Sequence, residues 1–175
     1  HSVLNNPPEM KQLTGIIFFI SLGMGHCSCP SSLFEEIGPG GCCYYFSAEH
    51  GHEAYFDEAR GYCQELGALL GEDIDLTEIG TPANKCCNDV ELLEAIKDKG
   101  KNIWIGARDS ASEGTWRWLH SQEVFPLSSS LWGEVQPDSY DGDQDCLFAA
   151  IGANSRVYFG DYECYYSRPF ICQIF

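Results

Sequence analysis

Two helical segments, followed by a half made of short strands and loops, predict a single α+β domain cross-linked by disulfides. Three observations carry that expectation. Apolar residues recur at helical spacing within Ala54 to Leu66 and again within Val90 to Lys99. From Asn102 onward the apolar residues come instead in short aromatic-rich runs divided by Gly, Pro, Asp and Ser. Ten cysteines in 175 residues are an even number far above ordinary usage, which in a secreted chain reads as a disulfide framework.

Taken in order, the chain opens with His1 to Glu9, which precede Met10 and are read as upstream sequence without a structural role. Met10-Lys11, the apolar run Leu13 to Leu22, and Gly23 and Gly25 have the layout of a secretory signal spanning residues 10–25, too short for a comfortable membrane span. The domain is then expected over residues 26–175, in an extracellular setting. Cys29-Pro30 opens an irregular segment that leads through Cys42-Cys43 into a strand at Tyr44-Tyr45-Phe46. In the first helix Tyr55, Ala59, Tyr62, Cys63 and Leu66 form the inner face, and Gly67 is the expected stop. Gly71 to Lys85 reads as an irregular connection, ending in Cys86-Cys87. Val90 to Lys99 is the second helix, capped by Asn88 or Asp89 and stopped by Gly100. Strands are expected at Asn102 to Ala107, Thr115 to His120, Leu147 to Ile151, Arg156 to Tyr158 and Pro169 to Phe175. The tryptophans Trp104, Trp116, Trp118 and Trp132 are read as core.

Composition narrows the partners. A formal net charge of −16, from 26 acidic and 10 basic residues, provides no basic stripe for nucleic acid, sulfated polymers or an anionic membrane. Between Trp132 and Cys146 the chain reads WGEVQPDSYDGDQDC, with Asp138, Asp141, Asp143 and Asp145 close together and Gln136, Ser139 and Gln144 as neutral oxygen donors. Pro137, Gly142 and the lack of apolar periodicity make it a loop. Hard cations such as calcium take about six to eight oxygens of these types. The cluster Glu49-His50-Gly51-His52-Glu53 has no matched partner for a metal and is read as an exposed turn. No nucleophile elbow, HExxH motif or phosphate loop supports an enzyme.

Several landmarks coincide in order and spacing: Cys29-Pro30, Ala59 with Cys63, Trp104-Ile105-Gly106, Glu113-Gly114-x-Trp116-x-Trp118, Trp132, Gln136-Pro137-Asp138, Asp145-Cys146, Asp161 with Cys164, and Phe170-Ile171-Cys172. On these the segment from Cys29 to Cys172 resembles a C-type lectin-like domain. The resemblance implies disulfides Cys63–Cys172 and Cys146–Cys164, and a third from Cys29 to Cys42 or Cys43. Cys27, Cys86, Cys87 and the remaining member of the 42/43 pair stay open.

In sugar-binding members of that family the loop tripeptide and later residues hold calcium and hydrogen-bond two neighbouring sugar hydroxyls. Carried to this chain, Gln136, Asp138, Gln144 and Asp161 are the calcium and sugar ligands, and Tyr140 is the ring against the sugar's apolar face. Asp109, Glu113 and Asp145 are an auxiliary calcium set. The middle proline is normally cis, and the Gln-Pro-Asp order resembles the galactose-type tripeptide. Two departures bear on calcium: Gln144 stands where an acid is expected, and Phe159-Gly160-Asp161 replaces Trp-Asn-Asp, removing one ligand. At the auxiliary set, Ser139 and Gln144 stand where acids are expected. The resemblance implies a secreted lectin for terminal galactose-type sugars on microbial or glycoprotein surfaces, its modest single-site affinity raised by clustering as a homo-oligomer. The alternative is a calcium-independent lectin-like module that binds protein or mineral surfaces.

Overall fold

The computed structural model describes residues 29–38, 40–81, 89–99 and 102–175. The expected leader, the cap at Asn88, the stop at Gly100, and Cys27, Cys86 and Cys87 lie outside the described residues. In chain order the elements are β1 (Glu35–Ile37), β2 (Cys42–Phe46), α1 (Phe56–Leu70), β3 (Ile74–Leu76), α2 (Asp89–Lys99), β4 (Ile103–Arg108), β5 (Arg117–Trp118), β6 (Cys146–Ile151), β7 (Val157–Tyr162) and β8 (Ile171–Ile174). Two antiparallel four-stranded sheets result, ordered β1-β2-β8-β3 and β5-β4-β6-β7. This is the α+β architecture expected.

The strands read as continuous apolar runs because the pleat sends alternate residues into two different cores. On β4, Ile103, Ile105 and Ala107 enter one cluster while Trp104 enters the other. On β6, Leu147 and Ala149 oppose Cys146, Phe148 and Ala150 in the same way. On β2, Tyr44 and Phe46 oppose Cys43 and Tyr45. The first core receives Phe56, Ala59, Cys63 and Leu66 of α1; the second receives Leu92 and Ile96 of α2. Trp104, Trp116 and Trp118 are fully buried, and Trp132 is half-buried against the second core.

Three disulfides join described residues: Cys29–Cys43, Cys63–Cys172 and Cys146–Cys164. Cys42 is also disulfide-bonded. Cys63–Cys172 spans 109 residues and ties α1 to β8, a constraint of about 4–5 kcal/mol on the unfolded chain in the entropic picture.

The first helix corrects the sequence expectation at both ends. Tyr55 is exposed, and the buried position is Phe56, because the helix begins two residues after Ala54, with the Tyr55 N–H accepted by the Glu58 carboxylate. Gly67 does not end the helix. It lies inside, where the chain beyond the helix passes so close that an added Cβ would stand 2.7 Å from the Glu72 carbonyl oxygen. The stop is Gly71, at φ +73°, whose N–H donates to the Gly67 carbonyl. Within the expected irregular connection, Ile74–Leu76 forms an edge strand on β8. Its Asp75 is buried and receives a two-pronged contact from Arg60 of α1 at 2.9–3.1 Å. The strand expected over 115–120 shortens to Arg117–Trp118, whereas β7 runs on to Tyr162.

In the stretch of Glu49 to Glu53 the imidazoles pack against aromatic rings. His50 stacks on Tyr45, and His52 meets Tyr62 and Phe170 edge-on. Lys99, at the end of α2, is paired with Glu35 and Glu49 and lies 4.5 Å over the Phe46 ring. Among the described residues no helix is long and apolar enough to cross a membrane.

Two glycines of α1 separate propensity from packing. Gly61 has open space where a Cβ would be, so Gly61→Ala should stabilise the protein by about 0.5–1 kcal/mol. Gly67→Ala should destabilise it in spite of the same propensity gain, because the Glu72 backbone must move. Urea denaturation of the two variants checks both signs.

Candidate functional site

Strands β4 and β6 pair with Arg108 opposite Cys146. The residue leaving β4, Asp109, therefore lies beside the residue entering β6, Asp145, and the Asp109 N–H donates to the Asp145 carbonyl at 3.2 Å. Two successive turns follow, from the Ser112 N–H to the Asp109 carbonyl and from the Thr115 N–H to the Ser112 carbonyl, each 2.8 Å. Within the second of these Gly114, at φ +74°, donates its N–H to Asp109 Oδ2 at 2.8 Å. That path brings Glu113 back over the pair. One carboxylate oxygen each from Asp109, Glu113 and Asp145 then lies within 4.8 Å of the other two.

Three carboxylates so close repel one another, and the innermost is almost sealed. Asp109 is 2% exposed, and its Oδ1 is buried with no hydrogen-bond partner among the described residues. Burial pushes the Asp109 carboxyl up to about 6; the Gly114 N–H pulls it down, and the charges of Glu113, Asp145 and Asp161 push it further up. Burial and Glu113 likewise raise Asp145, against the lowering effect of Arg108. An all-oxygen, carboxylate-rich group with a buried oxygen lacking a partner fits a hard divalent cation of the calcium type. Asp109, Glu113 and Asp145 are the residues that would hold it.

The acidic loop is anchored on its other side by β7. Trp132 bridges to Phe159: the Phe159 N–H donates to the Leu131 carbonyl and the Gly133 N–H to the Phe159 carbonyl. The Gln136–Pro137 peptide is cis. Past it, the buried Asp161 carboxylate, 2% exposed, accepts the N–H of Asp138 on one oxygen at 3.0 Å and the N–H of Ser139 on the other at 2.6 Å. Its own N–H donates to Gln136 Oε1 at 3.0 Å. Burial raises the Asp161 carboxyl while these N–H groups lower it. The Tyr140 N–H is shared between Asp138 Oδ1 and Gln144 Oε1, and Gln144 Nε2 donates to Glu163. Ser139 and Asp141 hold left-handed backbone conformations, at φ +45° and +57°.

The structure thus brings Gln136, Asp138, Tyr140, Gln144 and Asp161 into one hydrogen-bonded constellation and Asp109, Glu113 and Asp145 into another. In the first, the side-chain oxygens of Gln136, Gln144 and Asp161 already accept protein N–H groups, while Asp138, one oxygen of which shares the Tyr140 N–H, and the Tyr140 ring, 65% exposed, face solvent. Gly160 has a role that sequence reasoning missed. A Cβ there would stand 2.7 Å from Gln136 Oε1 and 2.8 Å from the Phe148 ring, so the absent side chain is the seat that those two groups fill. Glu163, the partner of Gln144, also carried no sequence signal beyond its place before Cys164.

Comparison with known proteins gives one answer. The model of the Lectin C-type domain matches residues 52–174. C-type lectin domain family 4 member E of Mus musculus is 30% identical over 132 residues, which are 75% of this chain and 55% of that protein. This chain thus spans about half the length of that relative. The C-type lectin domain of murine dendritic cell inhibitory receptor 2, solved in complex with N-glycan, superposes with a TM-score of 0.63 at 18% identity, covering 83% of this chain and 98% of that one. A calcium-independent type II antifreeze protein superposes with a TM-score of 0.59 at 20% identity, covering 83% and 95%.

The carboxylate group makes a test with two signs. Calcium binding needs Asp109 ionised, so the rise in Tm on adding calcium should be large at about pH 7.5 and shrink below about pH 6. In chelator the dependence reverses. Asp109 is harder to ionise folded, at about 6, than at its ordinary value of 3.8, so its contribution to stability is full below 3.8 and is lost as pH rises through about 6. Asp109→Asn, which keeps an acceptor for the Gly114 N–H, should raise the Tm of the chelated protein at neutral pH and abolish the calcium shift. Thermal melts in calcium and in chelator read both effects.

Proposed function

The chain belongs to the C-type lectin domain family, and from that membership we propose that it is a secreted carbohydrate-binding domain whose acidic loop takes terminal galactose-type sugars. One observation carries this reading: Asp138 and Tyr140 stand exposed on a loop whose backbone is fixed by the buried Asp161. The Asp138 carboxylate accepts hydrogen bonds from sugar hydroxyls. The Gln136 amide supplies a donor alongside it, and Tyr140 covers the apolar face of the pyranose. The Gln-Pro-Asp order is the basis for preferring galactose to mannose. A loop held before ligand arrives loses little conformational entropy on binding.

Calcium has its best-formed donor set at Asp109, Glu113 and Asp145. When bound it supplies the positive charge that lets those carboxylates stay ionised together and stiffens the root of the loop. A second ion at Gln136, Asp138, Gln144 and Asp161 competes with N–H groups that each of those side chains already accepts, so it binds more weakly than the first. Single-site affinity for a sugar is modest, and clustering of copies on microbial or glycoprotein surfaces supplies avidity. The same satisfied oxygens favour a second reading, a calcium-independent module that binds protein or mineral surfaces, and the fold is shared by a calcium-independent antifreeze protein.

Retention on immobilised galactose, with calcium and then with chelator, separates the two. The first reading expects retention that Asp138→Ala reduces about tenfold to a hundredfold, the value of a hydrogen bond to a charged group. It also expects the Gln136→Glu, Asp138→Asn double variant to move preference toward mannose. A folded protein that ignores galactose and mannose columns alike sinks this reading and leaves the second.

A further inference from the structure

A solvent-open cleft of about 490 Å³ lies between the root of the acidic loop and the turn joining β6 to β7. It falls within the ~300–1,000 Å³ range of small-ligand sites. Trp132, Gly133 and Tyr158 line it, with the Tyr158 ring packed against Gly133. Both rings are backed. Trp132 packs edge-on against Trp116 at 5.3 Å, and its indole N–H donates to the Pro126 carbonyl. Tyr158 meets Phe148 edge-on at 6.3 Å. The turn is closed by the Gly152 N–H to the Arg156 carbonyl, and Ala153 is exposed on it.

The polar groups of the cleft are few and balanced. Glu134 and Arg156 are both exposed and line it together, and the Arg156 guanidinium is tethered at the rim by donating to the Ser130 carbonyl. In a chain of net charge −16 this spot carries one positive and one negative side chain. It therefore suits a neutral ligand that both donates and accepts hydrogen bonds over an aromatic wall, which is the chemistry of a pyranose ring. The cleft also adjoins the tripeptide. A Cβ on Gly133 would stand 3.0 Å from Tyr158 and 3.1 Å from the Gln136 side chain, so a single glycine separates the two.

We infer that this cleft is a second, metal-independent carbohydrate subsite, which receives the next sugars of a chain whose terminal residue sits on the acidic loop. Its place along the chain rests on the loop reading above; its ligand chemistry does not. The subsite makes the domain a reader of oligosaccharides and not of a terminal sugar alone.

Isothermal titration of the full chain with methyl β-galactoside and with a linear galactose-ended tetrasaccharide tests it. The wild type should bind the tetrasaccharide about fivefold to tenfold more tightly, as aromatic stacking provides. Ala153→Trp, which fills the cleft from an exposed turn position, should remove that gain and leave methyl β-galactoside binding and Tm unchanged. Glu134→Gln should reduce it in part. Equal affinity for both sugars, or a gain that survives Ala153→Trp, overturns the subsite and leaves the loop reading standing. Tetrasaccharide binding that is lost in Ala153→Trp, with no monosaccharide binding at all, overturns the loop reading and upholds the subsite. Binding of neither sugar by the folded protein overturns both.

Discussion

The antiparallel register of β4, β6 and β7 is the constraint from which the functional end of the molecule follows. With Arg108 opposite Cys146 and Leu147 opposite Asp161, the two acids flanking the strand ends meet, and a third acid stands one strand away. None of the three could shift by one residue without turning every side chain on its strand to the other core. Because both faces of β4 and β6 are buried, that register is specified twice over. The carboxylates are neighbours because of packing elsewhere, and the apolar strands oppose the charge repulsion that results.

The acidic loop shows how a segment without a ladder of its own can be held. Among the described residues it has no strand partner beyond the bridge at Trp132, yet the two oxygens of Asp161, Gln136 Oε1 and Gln144 Oε1 each close a ring of backbone. A buried carboxylate that accepts two N–H groups fixes a loop in much the way a cation would, with the charges reversed. The Cys146–Cys164 bridge joins the start of β6 to the chain just past β7, so the loop leaves and the support returns through one covalent node. Chain-held and cation-held loops are therefore neighbouring solutions on this scaffold, and Gly160 is a residue that separates them.

Much of this was legible in the sequence. Spacing identified both helices, aromatic runs identified the inner strands, and cysteine positions matched to a family pattern anticipated the pairs at Cys63–Cys172 and Cys146–Cys164. What escaped has physical reasons. β1 and β3 are three residues each, too short for any periodicity, and β3 depends on β8 for its hydrogen bonds. Gly67 looked like a stop because local propensity cannot register a backbone passing outside the helix. Gly160 read as a missing ligand because sequence displays the lost side chain and not the Gln136 and Phe148 atoms that take its place. The grouping of Asp109, Glu113 and Asp145 was visible as a resemblance, but the unsatisfied oxygen inside it exists only after folding.

The position of β8 has a consequence for biosynthesis. This strand lies inside its sheet, between β2 and β3, and Cys172 within it is the partner of Cys63 on the first helix. Until β8 has been made, β2 and β3 have no strand to join them and Cys63 lacks its native partner. The early half must wait as an unfinished surface with a reactive thiol, open to the wrong cysteine among ten. Closure of this sheet and of its long-range bridge therefore waits on β8, and reversal of a wrong pairing matters more to the yield of the domain than the speed of either helix.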